Sequence, residues 1–164
     1  MTFAERRTKS SRDDWRTPPE EIALVKRIFG GQIDLDPCAD DDMNNWIAIT
    51  NAHPTGHDGL TSQWFGDVFI NPPYGRAIID WVRKGRQEYT DAQIWLVPGR
   101  AMDLQWWREL MTFCKVFAIK KKRIKFDGAE CGAMFPSALC YCGSNEQRFV
   151  DEVRAAGWDV YRKA

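Results

Sequence analysis

Three short apolar runs in this chain each break off at a proline, and this pattern constrains the fold more than any other feature. Ile33-Asp34-Leu35-Asp36 ends at Pro37, Val68-Phe69-Ile70 ends at Asn71-Pro72-Pro73-Tyr74, and Ile94-Trp95-Leu96-Val97 ends at Pro98. Proline lacks the N–H that a sheet ladder needs, so each run reads as a short strand that stops there. Helical patterns alternate with them. Thr17-Pro18-Pro19-Glu20-Glu21 supplies an N-cap, an early proline and first-turn acids ahead of Ile22, Leu24, Val25, Ile28 and Phe29, and Gly30-Gly31 closes the run. That spacing predicts a helix over 18–29. Further helices are expected over 77–88, with Ile78, Ile79, Trp81 and Val82 facing inward, over 102–113, and over 145–156 between Ser144 as cap and Gly157 as stop. Residues 46–49, 116–119, 123–126 and 138–142 read as strands, and a short edge strand closes the chain. Short apolar strands alternating with helices indicate one α/β domain, a mostly parallel sheet with helices on both faces. Ligands of such sheets bind beyond the carboxyl ends of the strands. Chemistry is therefore expected at Asp36-Pro37-Cys38-Ala39 and at Asn71-Pro72-Pro73-Tyr74.

The 164 residues suffice for one core, and 23 basic side chains balance 23 acidic ones. The balance conceals a split: residues 1–82 carry 8 basic and 13 acidic side chains, and residues 83–164 carry 15 and 10. A neutral total therefore does not exclude a basic face for nucleic acid. No apolar run approaches the roughly 18 residues of a membrane span, and the first residues lack the apolar stretch of a secretory signal, so a soluble intracellular protein is expected. The five cysteines Cys38, Cys114, Cys131, Cys140 and Cys142 form no Cys-x-x-Cys. Cys140 and Cys142 with His53 and His57 would make a zinc site on paper, but buried small residues and a polar loop explain the spacing better. Most of the eight tryptophans fall at apolar positions and read as core. Trp15 and Trp46, in polar surroundings, are candidates for lining a pocket.

Asn71-Pro72-Pro73-Tyr74 is the most specific signal. Pro72 has no N–H, but its carbonyl accepts, and the Asn71 side-chain oxygen is a second acceptor. Tyr74 adds a flat face beside them. Two convergent acceptors and an aromatic plate suit a planar ring with an exocyclic –NH2 group. The alternative is a strand-terminating turn in which Asn71 caps and Tyr74 packs.

Around this tetrapeptide the chain resembles the amino-group DNA methyltransferases that use S-adenosylmethionine, and especially the short adenine-N6 methyltransferases of bacteriophages and prophages. The resemblance runs from Trp15-Arg16-Thr17-Pro18 through Leu35-Asp36-Pro37-Cys38-Ala39, Asp58-Gly59-Leu60 with Trp64, and Phe69-Ile70-Asn71-Pro72-Pro73-Tyr74-Gly75. It continues through Trp81, Leu96-Val97-Pro98-Gly99-Arg100, Arg123-Ile124-Lys125-Phe126 and Phe135-Pro136-Ser137-Ala138-Leu139. It implies a single Rossmann-like class I methyltransferase domain over 15–164 with a C-terminal antiparallel hairpin, preceded by a flexible basic arm at 1–14 bearing Arg6, Arg7, Lys9 and Arg12. A cytoplasmic location in a bacterial or phage-infected cell is implied with it.

The same resemblance implies roles. Asn71, Pro72, Pro73 and Tyr74 correspond to the catalytic motif that presents a flipped adenine for methylation. Thr17 and Pro18 correspond to the segment that holds the methionine carboxylate of S-adenosylmethionine. Asp36, with Pro37, Cys38 and Ala39, stands where a carboxylate meets its ammonium, and Asp58 and Leu60 where its adenine is held. The ribose-binding acid usual after the second strand is not evident, and Asp40–Asp42 or Asn44 and Asn45 are the candidates for its place. The wider class has a glycine-rich turn after the first strand, whereas Ala39 is followed here by Asp40-Asp41-Asp42-Met43, as in the short phage-type group. Lys120, Lys121, Lys122, Arg123 and Lys125, together with Arg100, are the candidate contacts to double-stranded DNA, against a solvated hairpin edge as the alternative. The acceptor pair would equally serve cytosine N4, RNA or a protein glutamine amide, and a silent DNA-binding relative would keep the fold.

Overall fold

The first helix starts at a pair of prolines, the first extended and the second already helical. In the computed structural model, which describes residues 16–39, 47–51, 58–100, 102–126 and 132–163, α1 spans Pro19–Phe29. Pro19 at the first helical position forfeits only an N–H that would have no helical partner. Glu20 and Glu21 occupy the first turn, Lys26 and Arg27 the last, and Gly30 ends the helix at φ 94°, a left-handed conformation that glycine adopts without penalty. The cap differs from expectation. Pro18 is the N-cap residue and makes no side-chain capping bond, which leaves the Thr17 hydroxyl available to another element. The expected basic arm, Trp15, Asp40–Asp42, Asn44, Asn45, Trp46, His53, His57 and Cys131 lie outside the described residues.

The strands are β1 Leu35–Asp36, β2 Thr50–Asn51, β3 Asp67–Ile70, β4 Ala92–Pro98, β5 Val116–Lys120, β6 Ser137–Gly143 and β7 Trp158–Arg162, and the remaining helices are α2 Ile78–Gln87, α3 Gln105–Leu110 and α4 Glu146–Ala155. They form one sheet in the order β2-β1-β3-β4-β6-β5-β7. The β1–β2, β1–β3 and β3–β4 ladders are parallel, whereas β4–β6, β5–β6 and β5–β7 are antiparallel. The sheet is therefore mixed rather than mostly parallel. The expected antiparallel hairpin is present as β5–β6, and β6 inserts between β5 and β4. α2 supplies the crossover between parallel β3 and β4.

Residues alternate cleanly between the two faces. Phe69, Ile94, Leu96, Val116, Ala118, Leu139 and Tyr141 pack with Leu24, Val25 and Ile28 of α1 and Phe149, Val150 and Val153 of α4. Val68, Ile70, Trp95, Val97, Ala138 and Cys140 pack with Trp81 and Val82 of α2 and Trp106, Trp107 and Leu110 of α3. Burying side chains of this size contributes roughly 2–3 kcal/mol each. Trp64, Trp81, Trp95, Trp106, Trp107 and Trp158 are all buried, as core residues should be. The close approach of α2 to the sheet requires Gly85, because a Cβ there would overlap the Trp95 ring.

Three expected elements differ. Of the strand expected over 46–49, residues 47–49 lie outside any strand, and the ladder forms at Thr50–Asn51 instead. The helix expected over 102–113 is only α3, since Leu104 is its N-cap and the Thr112 hydroxyl bonds the Glu109 carbonyl at 2.7 Å as the helix ends. Residues 123–126 form no strand. Ile124 and Phe126 are buried, but the segment is held by Ala133 N–H donating to the Ile124 carbonyl at 2.9 Å rather than by a ladder. No helix among the described residues is long and apolar enough to cross a membrane.

Candidate active site

Because β1, β3, β4 and β5 point the same way, Asp36, Ile70, Pro98 and Lys120 all end at one edge of the sheet. Antiparallel β6 begins there, with Ser137 opposite Pro98. β1 and β3 are neighbours, so Asp36 and Asn71 stand at the ends of adjacent strands.

The Asn71 amide nitrogen donates to the Thr17 hydroxyl oxygen at 3.0 Å. That bond fixes the orientation of the carboxamide. One hydrogen of its NH2 goes to Thr17, its oxygen remains an acceptor, and the Thr17 hydroxyl keeps its own hydrogen to donate. Pro72 is buried and Pro73 exposed. Tyr74 is half-buried, with its ring 5.7 Å from that of Phe135 at an interplanar angle of 55°. Its hydroxyl is buried without a hydrogen-bond partner, and burial pushes its pKa well above the usual phenol range. It therefore stays protonated at neutral pH and is no base. The Arg100 guanidinium lies 4.3 Å above the Phe135 ring, and Gly99 N–H bonds the Pro136 carbonyl at 2.7 Å. Tyr74, Phe135 and Arg100 thus form a chain of contacting groups at the strand ends.

The second group lies at the end of β1. Asp36 is buried and its Oδ1 accepts from Cys38 N–H at 3.0 Å, which closes a tight turn over Pro37. Ala39 N–H reaches the Asp36 carbonyl at 3.4 Å. Asp58 makes a matching turn: Oδ1 accepts from Leu60 N–H at 2.9 Å and its carbonyl accepts from the Thr61 and Ser62 hydroxyls, each at 3.0 Å. The two turns meet at Gly59, where a Cβ would overlap the Pro37 carbonyl oxygen. The Gly59 carbonyl also takes the Trp64 indole N–H at 2.8 Å. A surface depression of about 420 Å³ adjoins, lined by Asp58, Leu60, Thr61, Asp80, Arg83, Lys84 and Gln87. Thr17 is thus bonded to Asn71, and Asp36 and Asp58 sit on turns that touch each other.

The basic residues do not share one environment. Lys120 ion-pairs with Glu20 at 3.2 Å and with Glu21, and its ammonium lies 5.6 Å from the centre of the Trp158 ring. Its charge is spent on α1. Lys121 pairs with Asp159 of β7 at 3.3 Å. Arg123 donates to the carbonyls of Ala133 at 3.3 Å and Met134 at 2.7 Å, stapling two segments. Lys122 and Lys125 are exposed. Among the described residues no group of three His, Cys, Asp or Glu side chains is arranged to hold a metal ion.

The family model for DNA N-6-adenine-methyltransferase (Dam) matches residues 5–138. The chain belongs to this family. The match spans Thr17, both carboxylate turns and the Asn71–Tyr74 segment, the same stretch that carries the sequence resemblance. No curated protein matches the chain. The fold gives Phe135 a place the sequence had not assigned, between Tyr74 and Arg100. The residue was visible within Phe135-Pro136-Ser137, but only the fold shows that it touches Tyr74. The Asn71–Thr17 bond, across 54 residues, left no sequence signal beyond the two residues themselves.

Proposed function

We propose that the protein transfers a methyl group from S-adenosylmethionine to N6 of an adenine flipped out of a DNA duplex. The orientation of Asn71 carries this reading. With its NH2 held by Thr17, its oxygen and the Pro72 carbonyl are left as two acceptors beside the Tyr74 ring, and the family match directs them to adenine in DNA.

The residues fit the cofactor. Buried Asp36 suits its ammonium, the spare hydrogen of Thr17 its carboxylate, and Asp58 with Leu60, beside the adjoining depression, its adenine. S-adenosylmethionine supplies, when bound, an electrophilic sulfonium methyl group. The chain's own residues prepare the acceptor. An adenine amino nitrogen is a poor nucleophile because its lone pair is delocalised into the ring. Asn71 Oδ1 and the Pro72 carbonyl would each accept one of its hydrogens, favouring a pyramidal nitrogen with an available lone pair, and would hold it in line for displacement. Tyr74 would stack on the extruded base, which compensates part of the few kcal/mol that extrusion costs. Phosphate contact would fall chiefly on Lys122 and Lys125, with Lys121, Arg123 and Arg100 near them and Lys120 serving to anchor α1.

Single-turnover methyl transfer by Asn71→Ala tests the reading. A fall of about 10²-fold with S-adenosylmethionine affinity retained is expected, the scale of losing one oriented polar group at a reacting centre. A near-normal rate with normal cofactor binding overturns it.

A further inference from the structure

Met134 combines three features that ordinary surface methionines do not. Its side chain is 77% exposed, while the preceding Ala133 is 1% exposed. Its backbone is pinned: Arg123 donates to both the Ala133 and Met134 carbonyls, and Ala133 N–H bonds the Ile124 carbonyl. The next residue, Phe135, packs on Tyr74 and lies under Arg100. An apolar side chain is therefore held in water on the residue that precedes Phe135. The segment that pins it, residues 122–125, carries the exposed cations Lys122 and Lys125. Isolated exposed apolar residues need no explanation. One fixed between a cationic segment and an aromatic slot has a specific use where DNA is the partner.

Resting on the methyltransferase function proposed above, we infer that Met134 is a wedge that enters the base stack and fills the space left by the extruded adenine. Unbranched and polarisable, methionine adapts to the uneven gap between two base pairs, and apolar side chains inserted at base steps are a general means of unstacking a duplex. The basic segment supplies attraction to the backbone, the wedge opens the stack, and Tyr74 receives the base. Met134 acts through the DNA and not on the reacting nitrogen, so it is a positioning residue.

The test uses the full chain and a target site mapped from its own methylation of genomic DNA. Single-turnover rates are measured on two duplexes of that site, one with the target adenine paired to thymine and one with it opposite an abasic position. A wedge matters only where the base must be unpaired and unstacked. Met134→Ala should slow transfer about tenfold on the paired duplex and less than about twofold on the abasic one, and Met134→Leu should be near wild type on both. Equal slowing on both duplexes, or no slowing on the paired one, would overturn the wedge while leaving the methyltransferase reading standing. A wild-type protein that binds S-adenosylmethionine but methylates no DNA would overturn both.

Discussion

Thr17 joins two parts of the molecule that the chain separates by 54 residues. Displaced from capping by Pro18, its hydroxyl accepts the Asn71 amide and so decides which way the carboxamide faces. Thr17→Val keeps the shape and removes the acceptor. It is expected to cost about 1 kcal/mol of stability, the net worth of a hydrogen bond. Methyl transfer should fall by about tenfold, because the amide loses its fixed orientation. Thr17→Ser should restore both. Single-turnover kinetics with chemical denaturation would check this, and a Thr17→Val rate equal to wild type would separate Thr17 from the chemistry. Burial raises the Tyr74 phenol further above its ordinary value of 10.0, so it carries no charge at any physiological pH.

Between α1 and β5 the decisive contact is Glu21 with Lys120. Burial holds the Glu21 carboxyl above its ordinary value, opposed by the hydrogen bond and charge of Lys120. An acid raised in this way binds its proton more tightly in the folded state. Its contribution to stability therefore falls as pH rises from the ordinary value of 4.5 through the raised one. Lys120→Met removes what opposes the shift and leaves a buried charge without its partner. A loss of about 3 kcal/mol at pH 7 is expected, shrinking as pH falls through the raised value toward 4.5, as the acid takes up its proton in the folded state. Urea unfolding across that range would show it, and a pH-independent loss would contradict it. This contact also marks where sequence reading stops. α1 was legible because Pro18-Pro19, the first-turn acids and Gly30 are local signals, and β3 because three apolar residues meet two prolines. Lys120 read as one of a run of cations because its partner lies 99 residues away. Residues 123–126 read as a strand because Ile124 and Phe126 alternate with polar neighbours, yet their burial comes from stapling to residues 133–134.

Over the whole molecule, the acidic first half and basic second half do not simply face apart. Glu20 and Glu21 neutralise Lys120, so part of the split is spent holding the halves together, and Arg27 of the acidic half pairs with Glu152 of the basic half at 2.9 Å in the opposite sense. The family match ends at residue 138, but α4 and β7 beyond it supply Phe149, Val150, Val153 and Trp158 to the core. The site gathers at one sheet edge because five strands, β1 to β5, end there, which is what brings turns distant in sequence together. The most direct test is the identity of the product. Incubated with unmethylated DNA and methyl-labelled S-adenosylmethionine, then digested for mass spectrometry, the protein is expected to place the label in N6-methyldeoxyadenosine. Label in N4-methyldeoxycytidine, or no labelled nucleoside despite bound S-adenosylmethionine, would contradict the account.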